Sequence, residues 1–124
     1  MGLVPMVGGE MTHRGYLAKE GGYIEDDAPS RIYADAAKCG VDHFIIPGTK
    51  IDKMKQYKML LEGKGKTPTF LFPGIGSGQG GDVKKAFDAI EPHCGYAIVG
   101  RGIYAAQQKR TSAIKLWKEI GETD

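Results

Sequence analysis

The sequence predicts an α/β chain of four βα units, the C-terminal half of a TIM-type (β/α)8 barrel with parallel strands inside and helices outside. Three observations carry this. Four short apolar runs alternate with segments whose apolar residues recur at helical spacing. Two of those runs share an ending, Phe44-Ile45-Ile46-Pro47-Gly48 and Phe70-Leu71-Phe72-Pro73-Gly74, a weak internal repeat of one βα unit. Four parallel strands alone leave two open edges and one bare sheet face, which a second half would cover. An open doubly wound sheet is the competing architecture.

A single half-barrel domain is expected over residues 1–124. The first strand is Leu3-Val4-Pro5-Met6-Val7, so the chain begins almost inside it. Its helix starts near Asp27 as N-cap, with Pro29 in the first turn, and Asp26-Asp27 reads as helix capping. That helix runs to Cys39 and stops at Gly40, a residue suited to the C′ position. Glu10 to Asp26 reads as a long irregular segment, a length that usually marks function or mobility. The second strand, His43-Phe44-Ile45-Ile46, ends in Pro47-Gly48-Thr49. Its helix puts Ile51, Met54, Lys58 and Leu61 on one stripe, with the Lys58 stem lying along it. After a polar link at Gly63–Thr67 comes the third strand, Thr69–Phe72, and a glycine turn. Asp82 then caps a helix with Val83, Ala86, Phe87 and Ile90 at i, i+3, i+4 and i+7, and Pro92 lies past its end. The fourth strand is Tyr96–Val99. The last helix repeats the spacing with Ala113, Leu116, Trp117 and Ile120, Trp117 being its anchor on the barrel.

The chemistry concentrates in two glycine-rich turns on the last two strands. One is Pro73-Gly74-Ile75-Gly76-Ser77-Gly78-Gln79-Gly80-Gly81-Asp82, the other Gly100-Arg101-Gly102. In (β/α)8 barrels the loops after strands seven and eight often hold phosphate. Glycine lets the backbone approach an anion and offer its N–H groups. Arg101 can present a two-pronged fork to phosphate oxygens, and Gln79 an amide N–H. A phosphorylated small molecule is the expected ligand.

Other features narrow the class. A net charge of +2 without a dense Lys/Arg block gives no support for nucleic acid or membrane as partner. The chain is 41% apolar and 26% charged, and its 19 glycines cluster at strand ends, which argues against disorder. No run is long enough to span a bilayer and no signal-peptide pattern occurs, so a cytoplasmic location is expected. Cys39 and Cys94, far apart and outside any CxxC, are expected to be buried reduced thiols. His13, His43 and His93 lack metal-ligand spacing, so no metal is expected; His13 is assigned a loop-ordering hydrogen bond. Glu10 is either a barrel-interior acid or one end of a structural hydrogen bond or ion pair. Lys53, Lys55 and Lys58 look like a solvated face.

Three segments in order, GEMTHRG (9–15), PGIGSGQGGD (73–82) and AIVGRGIY (97–104), resemble orotidine 5′-monophosphate decarboxylases of the archaeal type. The resemblance covers nearly the whole chain but only the C-terminal half of that family's domain. It implies that Thr12 hydrogen-bonds the pyrimidine and that Pro73 starts a phosphate-gripping loop containing Gly74, Gly76, Ser77, Gly80 and Gly81. It also implies that Gln79 bridges phosphate and base, and that the Gly100 N–H and Arg101 bind the phosphate. The loop is one residue longer than the archaeal pattern, and Tyr16–Asp26 departs from it and carries no role.

The family's decarboxylation centre, a Lys/Asp array with a D-x-K-x-x-D motif, is absent from this sequence. The nearest string, Asp82-Val83-Lys84, has Phe87 where the second Asp would stand, and reads as N-cap plus surface lysine. The expectation is therefore no catalytic residue in this chain and an isolated chain without turnover. The whole enzyme would convert orotidine 5′-phosphate to UMP and carbon dioxide without a cofactor. The implied partners are orotidine 5′-phosphate or UMP and a second half-barrel, either another copy in a dimer or an N-terminal half. Two alternatives are kept: a metal-using sugar-phosphate barrel of the hexulose-phosphate synthase or ketogulonate-phosphate decarboxylase type, and a non-catalytic self-associating half-barrel.

Overall fold

Four parallel strands lie side by side in the order of the chain: β1 (Met6–Gly8), β2 (His43–Ile45), β3 (Thr69–Pro73) and β4 (Gly95–Ile98). Between and after them come helices α1 (Ala28–Lys38), α2 (Ile51–Gly63), α3 (Val83–Ile90), α4 (Arg101–Tyr104) and α5 (Lys109–Glu119). The structure is a computed structural model that describes residues 2–76 and 80–121. A doubly wound sheet reverses its strand order at a switch point. This order runs straight from β1 to β4, and α1, α2, α3 and α5 contact one another in succession. That is the arrangement of half a barrel.

The period of two along each strand decides which side is core. Phe44, Ile46, Phe70 and Phe72 point to the helices and are fully buried against Tyr33, Met54, Tyr57, Leu61, Ala86 and Ile90. Phe87 meets Phe72 edge-on, with ring centroids 5.0 Å apart. The alternate residues form the bare face. One register row crosses all four strands there as Gly8, Ile45, Leu71 and Tyr96. On that face Met6 is 51%, Tyr96 63% and Ile98 43% exposed, so the helix-free side of the sheet is open and apolar.

Several expectations need correction. β1 holds only Met6–Gly8 in the ladder; Leu3, Val4 and Pro5 are exposed outside it, and Pro5 has no N–H to donate. β4 starts one residue early, at Gly95. Asp82 caps α3 as expected, its carboxylate accepting the Lys85 amide at 2.9 Å. Asp27 stands at the N-cap of α1 without a side-chain cap bond, and pairs with Arg31 at 3.4 Å instead. Asp26 accepts the Lys19 amide at 2.9 Å rather than capping α1. The two cysteines are free but exposed, not buried. Cys39 follows Ala37, the last buried residue of α1, and Cys94 shares the parity of Tyr96 and Ile98 on the bare face. Along α5, Ala113, Leu116 and Ile120 are half-buried, and Trp117 is 42% exposed.

The segment between β1 and α1 is ordered rather than irregular. Leu17, fully buried, bridges to Ile24, and a 3-10 turn at Ala18–Glu20 sits between them. The Ala18 amide donates to the Ile24 carbonyl at 2.7 Å and the Gly22 amide to the Leu17 carbonyl at 2.9 Å. The result is a closed strap lying over the C-terminal end of β1.

Candidate functional site

All strands point their C-terminal ends the same way, so the segments that follow them share one rim. The strap brings Thr12 to that rim. The Thr49 hydroxyl, just past β2, donates to the Thr12 carbonyl at 2.7 Å. A Cβ built on Gly74, just past β3, would lie 3.0 Å from Thr12 Cγ2 and 2.8 Å from Thr49 Cγ2. Gly74 also has φ +91°, the left-handed region that glycine adopts without strain. Thr12, Thr49 and Gly74 therefore converge. Thr12 and Thr49 line a hollow of about 290 Å³ together with His13, Arg14, Lys50 and Gly80. His13 packs edge-on to Tyr16 at 5.7 Å within this wall, in place of the expected ordering hydrogen bond.

The two glycine turns also meet. A Cβ on Gly76 would come within 3.8 Å of Gly102 Cα. A second hollow of about 460 Å³ opens between them, with Gly76, Gly80, Gly81 and Gly102 in its wall and Lys115 across from them. Gly80 belongs to both hollows. The N–H groups of Gly76, Gly80 and Gly81 are not aimed at solvent: they donate to the carbonyls of Gly81, Gly76 and Gly74. These bonds hold the turn's shape and take those donors away from any anion. The first N–H groups of a helix have no partner within it. Gly100 is the N-cap of α4, its carbonyl accepting the Ile103 and Tyr104 amides at 2.9 and 3.1 Å, and exposed Arg101 is the first residue of that helix; neither lines the two hollows. Pro73 ends β3, half-buried, and its carbonyl accepts the Gly48 amide at 3.0 Å. Ser77 and Gln79 lie outside the described residues.

Beneath the strap is a buried charge cluster. Glu10 is 5% exposed. The Lys50 ammonium stands 2.9 Å from its Oε2, off the line of a good hydrogen bond, and Lys53 stands 3.9 Å from its Oε1. The Tyr57 hydroxyl donates to Oε1, and the Glu10 amide donates to the Tyr33 hydroxyl at 3.3 Å. Tyr33 in turn donates to the Ile45 carbonyl at 2.6 Å. Burial pushes the Tyr33 hydroxyl up to about 12. Burial first, and then the hydrogen bond to Glu10, hold the Tyr57 hydroxyl well above the ordinary tyrosine range. Burial, followed by neighbouring Lys19, lowers Lys53 below the usual lysine value. Glu10 is thus a structural ion-pair partner, and Lys53 faces it rather than solvent. Lys58, half-buried on α2, donates to the Glu91 carbonyl at the end of α3 at 2.7 Å. Among the described residues no group of three His, Cys, Asp or Glu side chains is placed to hold a metal ion, and no helix is long and apolar enough to cross a membrane.

Arg14, Thr49 and Lys50 are wall residues that the sequence reasoning did not single out. A signal was available. The repeated strand-Pro-Gly ending puts Thr49-Lys50 in the place that Ile75-Gly76 occupies one unit later. A repeat that builds one rim segment also builds its neighbour.

Comparison with known proteins identifies the family. A family model described as the orotidine 5′-phosphate decarboxylase / HUMPS family matches residues 9–116. The orotidine 5′-phosphate decarboxylase of Methanosarcina mazei is 31% identical over 111 residues, covering 90% of this chain and 45% of that protein. The enzyme of Pyrococcus abyssi is 42% identical over 76 residues, covering 61% and 33%. Among solved structures, orotidine 5′-monophosphate decarboxylase from Methanocaldococcus jannaschii, complexed with the inhibitor BMP, superposes with a TM-score of 0.74 at 25% identity, over 94% of this chain and 49% of that one. The Pyrococcus horikoshii enzyme gives 0.69 at 27%, over 95% and 51%. The chain spans about half the length of the curated relatives it matches. The match begins at Gly9, where the strap leaves β1, and runs into α5, taking in both glycine turns, and on that basis the chain belongs to the orotidine 5′-phosphate decarboxylase / HUMPS family.

Proposed function

We propose that this chain supplies the phosphate- and pyrimidine-binding half of an orotidine 5′-phosphate decarboxylase. The observation that carries the reading is the junction of two hollows at Gly80, one walled by Thr12 and the other by the two glycine turns. A nucleotide has two such ends, a planar base with hydrogen-bonding edges and a phosphate. In this reading Thr12 meets the base, and Gly100 and Arg101, beside the Gly102 that lines the second hollow, meet the phosphate. The rim and its glycine turn, including Ser77 and Gln79 as the resemblance implies, grip the ligand. The reaction itself leaves negative charge on the ring carbon that loses carbon dioxide, and that demands several fixed charges around one atom. Lys50 is the cation nearest the Thr12 hollow whose partners are defined, and both are carboxylates of this chain. With no D-x-K-x-x-D motif in this sequence, the reading assigns the reacting charges to a second half. Phosphate contacts remote from the reacting atom serve the rate as well as the affinity, because their binding energy positions the substrate.

The open face bearing Met6, Ile45, Leu71, Tyr96 and Ile98 is where a second half-barrel would close. The N-terminal half of such a barrel is the partner that brings the Lys/Asp array; a second copy of this chain closes the barrel without it.

Titration calorimetry with UMP against a pentose phosphate tests the reading. UMP is expected to bind more tightly. Arg101→Ala is expected to weaken UMP about 10- to 100-fold, the range of a lost charge-assisted hydrogen bond. The chain alone should turn over no orotidine 5′-phosphate and should do so once an N-terminal half is supplied. Preference for the pentose phosphate would move the assignment to the sugar-phosphate branch. Efficient turnover by the chain alone would overturn the placement of the reacting charges.

A further inference from the structure

We infer that Lys50 is a positioning residue that clamps the strap and so fixes Thr12 at the mouth of its hollow. The Lys50 ammonium joins two carboxylates that the chain delivers from either side of Thr12. Glu10, two residues before it, is 2.9 Å away, and Glu20, in the 3-10 turn of the strap, is 3.3 Å away. Glu20 also accepts the Leu17 amide at 3.4 Å, so the same carboxylate ties down the buried end of the strap. The residue before Lys50, Thr49, holds the Thr12 carbonyl. The end of β2 thereby grips the strap at three points within two residues of its own.

Energetics favour a clamp over a loose surface pair. The Lys50 side chain is only 12% exposed and that of Glu10 is fully buried. Without Lys50 the buried Glu10 carboxylate keeps only the more distant Lys53, at 3.9 Å, and the Tyr57 hydroxyl, which makes release of Lys50 costly. An exposed pair, by contrast, contributes little. Glu20 is the outer and less buried contact, with 26% of its side chain exposed, so the clamp opens from that side. Lys50 also lines the Thr12 hollow. Its charge reaches the ligand site only after being shared between two carboxylates, which suits positioning rather than chemistry. The inference rests on the assignment of Thr12 as a ligand contact.

Hydrogen exchange on the ligand-free chain and UMP titration test it jointly. In Lys50→Met the amides of Ala18, Gly22 and Ile24 are expected to exchange faster, while that of Phe70, bonded to the Cys94 carbonyl inside the sheet, keeps its protection. UMP affinity is expected to fall about tenfold in Lys50→Met and to return to within about twofold in Lys50→Arg, a coupling of ordinary size. A side chain that merely fills space would not be rescued by arginine. If Lys50→Met does not fold, Glu20→Gln carries the test, since its amide oxygen can still accept the Leu17 amide while the ion pair with Lys50 is lost; faster exchange at the same three amides supports the clamp. Wild-type exchange in every folded variant overturns it. If the parent chain binds no UMP while Lys50→Met still loosens the strap, the clamp stands and the nucleotide assignment falls. If the parent binds UMP and Lys50→Met binds it equally well, the nucleotide assignment stands and the positioning role falls.

Discussion

Gly48 stands where β2 and β3 come closest at the rim, and replacing it with alanine tests the site's foundation. Its N–H donates to the Pro73 carbonyl at 3.0 Å. A Cβ at this position would lie 2.4 Å from that same oxygen and 3.1 Å from Ile75 Cδ1. The isoleucine methyl can swing aside; the backbone carbonyl cannot. Gly48→Ala must therefore part the two strand ends and stretch the hydrogen bond. Overpacking costs about 1–3 kcal/mol, and the lost bond about 1 kcal/mol more, so about 3 kcal/mol is expected. For a chain of 124 residues, an unfolding entropy of about 2.1 cal/mol/K per residue turns this into a fall in Tm of about 11 °C. Gly63, the last residue of α2, is the control: nothing lies within 4 Å of its Cβ position. Gly63→Ala should gain about 0.5 kcal/mol from helix propensity and raise Tm by about 2 °C. Scanning calorimetry on both variants gives the answer. A Gly48→Ala protein that melts within about 2 °C of the parent, less than 1 kcal/mol at this size, would refute the close approach of the two strand ends.

Two further outcomes follow from the buried cluster and the bare face. Tyr57 ionises in the folded chain only well above the ordinary value of 10.0, so its contribution is complete below about pH 10 and is lost as pH rises toward the folded value. Denaturant titrations should show stability falling above about pH 10, with a shallower decline in Tyr57→Phe, which at neutral pH loses about 1–2 kcal/mol by taking the hydroxyl from Glu10; an unchanged alkaline slope in Tyr57→Phe would remove Tyr57 as its source. Tyr96→Asp, on the bare face and 63% exposed, should alter the isolated chain's stability by no more than about 0.5–1 kcal/mol yet abolish association with a second half in sedimentation; unfolding of the isolated chain would mean that the face is already covered.

The alternation of apolar strands and striped helices made the half-barrel legible, because each strand's buried parity and each helix's stripe follow from local periodicity. Asp82 was legible as a cap because a side-chain oxygen before an apolar helix has one obvious use. Longer-range matters were not. That the glycine turn would spend three of its N–H groups on its own carbonyls depends on the path of the loop, which composition does not encode. Glu10 was ambiguous until Lys50, Lys53 and Tyr57, all 40 or more positions away, came round it. The four-residue α4 is too short to show a period. Cys39 and Cys94 illustrate the opposite error, since a residue type that prefers burial was placed by preference while neighbouring Ala37 and Tyr96 already set the parity.

The row Gly8, Ile45, Leu71, Tyr96 also has a gradient of bulk. Side-chain volume rises from a single hydrogen at one open edge to a phenol at the other. A strand laid along β1 finds empty space at this level and needs a large residue to fill it; a strand laid along β4 meets a ring and needs a small one. The two edges are not interchangeable, and the taper itself sets a direction of assembly: an arriving half fits only when its own small and large ends are presented in the reverse sense.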